Sequence, residues 1–238
     1  MQKAIQINPQ LEVENAAKQL AEKGRVQITD FFTAESAQYL YQLLQKHQHW
    51  YFAYNENGQY FESPLADIQA LNPQQRQLFM NNIYARARNQ FQYAFIQYYI
   101  TQAIELGEQI DHPMHQMHYF MNSEPLLDFM RKLTGEFAIK KADSYASCYS
   151  PGHFLTEHDD RHHQHDRVAA YVFSMNPNWN KNWGGQLAFF DEDGNIEQAY
   201  NPSFNTLNLF LIPTQHAVLP VAPYAGASRL SYLGWLHR

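Results

Sequence analysis

His158-Asp159-Asp160 sets an imidazole and a carboxylate two residues apart. In an extended chain positions i and i+2 project from one face, so both side chains can reach a single ion. With 12 histidines in the chain the pair is weak evidence alone, and surface turn residues are its plain alternative. Context comes from His216, set in the apolar run Ile212-Pro-Thr-Gln-His-Ala-Val-Leu-Pro220. A histidine there is either satisfied in the core or placed as a ligand. Two imidazoles and one carboxylate leave three adjacent coordination positions open, which suits a mononuclear Fe(II) centre that also binds a chelating co-substrate and dioxygen. Zinc favours closed tetrahedral sets, often with thiolates, and Cys148 is the single cysteine. The donor set therefore indicates iron.

Arg229-Leu-Ser-Tyr-Leu-Gly-Trp235 reads as a strand whose even steps put Arg229 and Ser231 on one face. A buried arginine is costly unless an anion meets it. The far carboxylate of a 2-oxo acid would do so, held bidentately by the guanidinium with a hydrogen bond from Ser231. Its alternative is an ordinary structural ion pair. Three other histidine groups stand outside this set. Arg161-His-His-Gln-His-Asp166 is expected to be a solvated loop, His153 either touches substrate or ends a turn, and His112, His115 and His118 share one helical side.

The elements that must position these residues divide the chain by texture. Up to about Gly135 it reads as mainly helical; beyond that come short β-like runs punctuated by Gly, Pro, Asn and Asp. A β segment at Arg25 to Asp30 leads to Thr33, a candidate N-cap for a helix carrying Ala37, Leu40, Leu43 and Leu44. Aromatic runs from Trp50 to Phe61 flank Asn55-Glu-Asn-Gly58, a hairpin signature. Asn72-Pro73 starts a helix expected to run on towards Tyr99, and Ser123 to Lys132, closed by Gly135, gives another. Eight strands are expected at 137–149, 154–160, 167–175, 186–191, 195–200, 206–212, 216–221 and 227–236, the content of a jelly roll. The reading is α+β: a double-stranded β-helix (jelly-roll) core over 136–238 with an N-terminal helical layer over 1–135, treated as one domain.

Composition narrows the function. Seventeen Lys plus Arg against 23 Asp plus Glu leave a net charge of −6, which disfavours nucleic acid as a partner. Apolar runs such as the one beginning at Leu207 are too short to span a membrane. One cysteine and a start without an apolar signal core indicate a cytoplasmic protein.

Several segments together resemble the 2-oxoglutarate- and Fe(II)-dependent dioxygenases, in their prolyl hydroxylase-like branch. They are Cys148-Tyr-Ser-Pro-Gly-His-Phe-Leu-Thr-Glu-His-Asp-Asp160, Trp183-Gly-Gly-Gln-Leu187, Pro202 to Phe210, His216 to Val221 and Arg229 to Trp235. The resemblance covers about Phe137 to Arg238. It implies iron ligation by His158, Asp160 and His216, 2-oxoglutarate binding by Arg229, a co-substrate hydrogen bond from Tyr149, and ascorbate as a candidate reductant. It also implies hydroxylation of an unactivated C–H bond, with a prolyl residue of a protein as substrate, and a flap over it as the alternative to core packing for the aromatic hairpin. One departure stands out: where some members carry a tyrosine after the H-x-D strand, this chain has Ser174, with Tyr171 out of phase. Alternatives are a hydroxylase of a free amino acid or other small molecule, a nucleobase demethylase, or a non-enzymatic jelly-roll binding module.

Overall fold

Alternating side chains decide which strands are covered on both faces. In the computed structural model, which describes residues 4–162 and 166–238, the elements run α1 (Val13–Lys23), β1 (Arg25–Ile28), α2 (Ala34–Lys46), β2 (Tyr51–Glu56), β3 (Gln59–Pro64), α3 (Leu65–Ala70), α4 (Pro73–Ala87), β4 (Tyr93–Tyr98), α5 (Ile100–Glu105), α6 (His115–Met121), α7 (Glu124–Thr134), β5 (Lys141–Ala142), β6 (Tyr145–Tyr149), β7 (Phe154–His158), β8 (Arg167–Ser174), β9 (Leu187–Phe190), β10 (Ile196–Tyr200), β11 (Thr206–Leu211), β12 (His216–Val218) and β13 (Arg229–His237). Strand pairing follows the order β1-β11-β8-β13-β6-β4-β7-β12-β9-β10, with β2 and β3 extending from β4 and β5 on β13. β4 bonds to β6 through Ile96 to Tyr98 and to β7 through Tyr93 and Ala94, so within this continuous sheet it joins the larger part, β1-β11-β8-β13-β6, to the smaller part, β7-β12-β9-β10, and these two parts are the two sheets of the fold. All assigned strand pairs are antiparallel, and the architecture is the jelly roll expected from the sequence.

Parity then sorts the core. On β8, Tyr171 and Phe173 face the helices, where they pack with Leu40, Met117, Met130 and Tyr232. Ala170 and Val172 face the opposite way and meet Leu187, Phe189 and Phe210 between the sheets. On β13 the same rule sends Tyr232 and Leu236 to the helical layer and Leu233 and Trp235 inward. Arg229 and Ser231 share that inward parity.

The first part of the chain is less helical than its texture indicates, because it contributes β1 to β4 to the same sheet. The helix expected to run from Pro73 towards Tyr99 stops at Ala87, and Tyr93–Tyr98 forms β4, buried at every position. The aromatic run is apolar on both faces, as a strand covered twice must be. Asn72 and Gln75 form a capping box at the start of α4, as its sequence indicates. The span 137–149 breaks into β5 and β6, and the hairpin at Asn57-Gly58 is present, both turn residues having positive φ. α1, α3 and α5 were not anticipated, and α6 contains His115 and His118 of the expected helical face but starts after His112.

Gly234 marks a close approach: a Cβ there would lie 2.1 Å from the Asp143 carbonyl oxygen. Gly234→Ala is expected to cost about 1–3 kcal/mol, as overpacking does. At roughly 2–4 °C per kcal/mol for a chain of this size the thermal midpoint should fall by several degrees. An unchanged midpoint would mean that the strand shifts freely.

Candidate active site

His158 ends β7 and His216 opens β12, and the two are direct partners across that strand pair. Their ring centroids are 4.1 Å apart. The strand expected over 154–160 stops at His158, and Asp160 follows in a left-handed turn with φ of 61°. The turn, rather than strand alternation, brings its carboxylate back: Oδ1 lies 3.3 Å from His158 Nε2 and Oδ2 lies 3.4 Å from His216 Nε2. Among the described residues these three form the one group of His, Cys, Asp or Glu whose ligand atoms converge within 4.8 Å.

Backbone carbonyls orient both rings. The Nδ1 of His158 lies 3.0 Å from the Thr156 carbonyl oxygen and that of His216 lies 2.8 Å from that of Thr214. Contact between Nδ1 and these carbonyls turns each Nε2 towards Asp160. Burial alone would raise the Asp160 carboxyl, but the hydrogen bond from His158 and the nearby His216 hold it at about 2. Burial, then His158, keep His216 down at about 4, so this ring is neutral near pH 7. Asp160 in turn outweighs burial at His158 and raises that ring, and with a divalent metal bound in place of its proton the carboxylate and two imidazole nitrogens would be a donor set with positions left open on one side.

Arg229 stands at the start of β13, opposite Tyr149 of β6 in register. It is 2% exposed, its Nε has no hydrogen-bond partner, and among the described residues no carboxylate pairs with it. Burial pushes its guanidinium below the usual range. Its carbon stem passes Gly185, where a Cβ would come within 3.3 Å of Cδ, and Gly184 lies against the Pro220 carbonyl. The Trp-Gly-Gly segment therefore lets the backbone close over the arginine. Tyr149 lies beside the guanidinium, with 5.2 Å from its ring centroid to the arginine Cζ, and stacks on Phe95 at 4.9 Å. An inner cavity is lined by His158, Asp160, His216, Arg229 and Tyr149 together. Ser231 is fully buried on the face of Arg229, and its hydroxyl and that of Ser147, its cross-strand neighbour, both lack partners. Ser174 bonds to Asn208, while the Tyr171 hydroxyl donates to the Asp143 carbonyl at 2.6 Å.

Residues 144–237, which contain β6 to β13, match the family model described as the 2OG-Fe(II) oxygenase superfamily. This stretch belongs to the 2OG-Fe(II) oxygenase superfamily. A search of curated proteins returns no match. Among solved structures the chain is similar to a Pseudomonas putida prolyl-4-hydroxylase, with 23% identity over 95% of this chain and 99% of that one and a TM-score of 0.61. It is also similar to a Trichoplax adhaerens prolyl hydroxylase in complex with a hypoxia inducible factor oxygen degradation domain peptide fragment, with 17% identity, coverage of 94% and 88%, and a TM-score of 0.62. A Burkholderia pseudomallei 2OG-Fe(II) oxygenase family oxidoreductase matches at 13% identity over 99% and 95% with a TM-score of 0.60. These likenesses establish a shared fold. The family implies Fe(II) and 2-oxoglutarate, and both fit the oxygenase site: the triad is a donor set for the metal, and the unpaired Arg229 for a carboxylate.

Residues that sequence reasoning missed line an outer cavity of about 390 Å³ that shares His158 and Asp160 with the inner one. Tyr145 and Trp235 separate the two, and Tyr60, Phe91, Tyr93 and Phe95 form an aromatic wall. Arg167 donates to the Asp160 carbonyl at 3.1 Å and lies 3.5 Å over the Trp235 ring. His153 instead ends a turn: it is buried, accepts from the Ser150 amide and packs on Phe52. Of the loop at Arg161–Asp166, His163 and His165 lie outside the described residues.

Because Arg229 is a buried cation without a counter-charge, Arg229→Met should raise the stability of the ligand-free protein, by about 1–4 kcal/mol if the site repacks as replaced buried charges do. Chemical denaturation measures this. A clear loss of stability would mean that a structural partner had been overlooked.

Proposed function

We propose that this oxygenase hydroxylates an unactivated C–H bond of a prolyl residue in a cytoplasmic protein. His158, Asp160 and His216 hold Fe(II), and Arg229 takes the far carboxylate of 2-oxoglutarate. The observation that carries this reading is the unpaired, fully buried guanidinium sharing a cavity with the ligand triad. When bound, Fe(II) with 2-oxoglutarate and dioxygen supplies the oxidation. The residues supply position and exclusion. Asp160 brings negative charge to offset the metal, the carbonyls of Thr156 and Thr214 fix the histidine rings, and Arg229 orients the co-substrate by a charge-assisted contact. Tyr149 and Ser231 are assigned hydrogen bonds to that co-substrate, and ascorbate the role of reductant. Apolar inner walls from Val172, Leu187, Phe210 and Val218 keep water from the reacting centre.

The outer cavity supports the substrate class. Aromatic faces suit an apolar ring C–H, and proline's fixed φ lowers the entropy lost on docking a peptide. A second reading, a free amino acid, draws on Arg167, which lines the same cavity and has no carboxylate within ion-pair distance among the described residues. No helix among the described residues is long and apolar enough to cross a membrane.

Three substitutions, His158→Ala, Asp160→Ala and His216→Ala, should each abolish succinate formation with little loss of fold, while His162→Ala changes little. Near wild-type turnover in all three would remove the triad from the reaction. Arg229→Ala should weaken 2-oxoglutarate binding by about 2–4 kcal/mol and spare metal binding, which titration calorimetry checks; unchanged affinity refutes the assignment. For the substrate, partners captured on the Asp160→Ala variant are treated with wild-type protein and searched by mass spectrometry for a proline that gains one oxygen. Hydroxylation of free proline with no modified protein would favour the second reading.

A further inference from the structure

A second group of histidines lies at the root of the β2–β3 hairpin, where α2 ends and β2 has not begun. His47 is the C-cap of α2, and its ring centroid lies 5.0 Å from that of His112, 5.9 Å from His49, 4.8 Å from Trp50 and 4.4 Å from Tyr98. His115 extends the group, 5.8 Å from His112, with its Nε2 2.9 Å from the Tyr98 hydroxyl. The rings therefore tie the chain entering β2 to the end of β4 and to α6.

Hydrogen bonding limits what these rings can do. The Nε2 of His47 contacts the His49 carbonyl at 3.1 Å, while its Nδ1 is buried without a partner. His112 accepts from the Met114 amide through Nδ1 at 3.2 Å. The ring nitrogens do not converge as metal ligands, in contrast to the triad. The titratable and charged groups that face them are Tyr51 from β2, Tyr98 from β4, Glu108 and Asp111 from the segment before α6, and His118 from α6. No carboxylate lies within ion-pair distance of the four rings among the described residues. A proton added here thus forms no ion pair and lies beside other imidazoles, with Asp111 offsetting part of the charge at His115.

We propose that His47, His112 and His115 form an acid-sensitive latch, with His49 packed against it: the three neutral rings pin the hairpin against β4 and α6, and on protonation they repel one another and release it. The hairpin carries Tyr60 into the wall of the outer cavity, so release opens that wall. Burial, then His112, lower His47 from its ordinary 6.5 to about 4, and burial lowers His112 and His115 as well. A ring whose closed-state pKa is depressed takes up its proton in the open state first. Opening must therefore grow as pH falls from about 6.5 towards about 4.

Hydrogen exchange of the full chain tests this through the amides of 51–64, corrected for intrinsic rates, at about pH 7.5 and about pH 5.5. His47 alone predicts about tenfold more opening at the lower pH. His47→Asn and His112→Asn, the second at a half-buried position where folding is less at risk, should each flatten that response and leave the higher-pH value unchanged. Wild-type opening independent of pH overturns the latch, and so does an undiminished acid response in both variants. Added Zn²⁺ should leave exchange at pH 7.5 unaltered; strong protection would overturn the latch by making the cluster a metal site.

Discussion

A cation buried among aromatic and aliphatic groups sets the terms for the rest of this molecule. Arg229 enters the interior because β13 alternates, with Tyr232 and Leu236 taken by the helical layer and Arg229, Leu233 and Trp235 sent between the sheets. Two glycines allow the neighbouring loop to close over it, and Tyr149 flanks it. Such a charge is sustained by the packing around it and is compensated only by an anion. In an oxygenase of this superfamily, 2-oxoglutarate supplies that anion in the proposed reading.

The smaller sheet answers the larger one. His158 and His216 sit opposite each other on β7 and β12, and a left-handed turn returns Asp160 to both. Each ring is set through its Nδ1 by a carbonyl two residues earlier, so the geometry is built into the backbone before any ligand arrives. Fixed ligands on one sheet and a fixed guanidinium on the other define a single line along which a dicarboxylate can lie. The aromatic outer cavity meets that line at His158 and Asp160.

The site was legible in the sequence where chemistry is local. H-x-D, His216 in an apolar run and Arg229 in a strand each carry their meaning within a few residues, and period-two alternation announced the β-rich half. The parts that were missed depend on long-range closure. Tyr93–Tyr98 follows a helix and reads as its continuation, yet it becomes the strand that joins both sheets. Tyr93, Tyr145 and Trp235 lie on three different strands, and only sheet pairing brings them to one wall. Asp160 converges on both histidines as its spacing indicated, but a turn and not an extended strand directs it. The imidazole group at His47 joins residues from a helix end and a distant helix start, which spacing cannot reveal.

The most direct test is anomalous diffraction at the iron edge from crystals prepared without oxygen in the presence of Fe(II) and 2-oxoglutarate. The account predicts one iron peak within bonding distance of His158 Nε2, Asp160 and His216 Nε2, and a co-substrate carboxylate against the Arg229 guanidinium. Iron bound elsewhere, or a 2-oxoglutarate carboxylate that leaves Arg229 untouched, would contradict it.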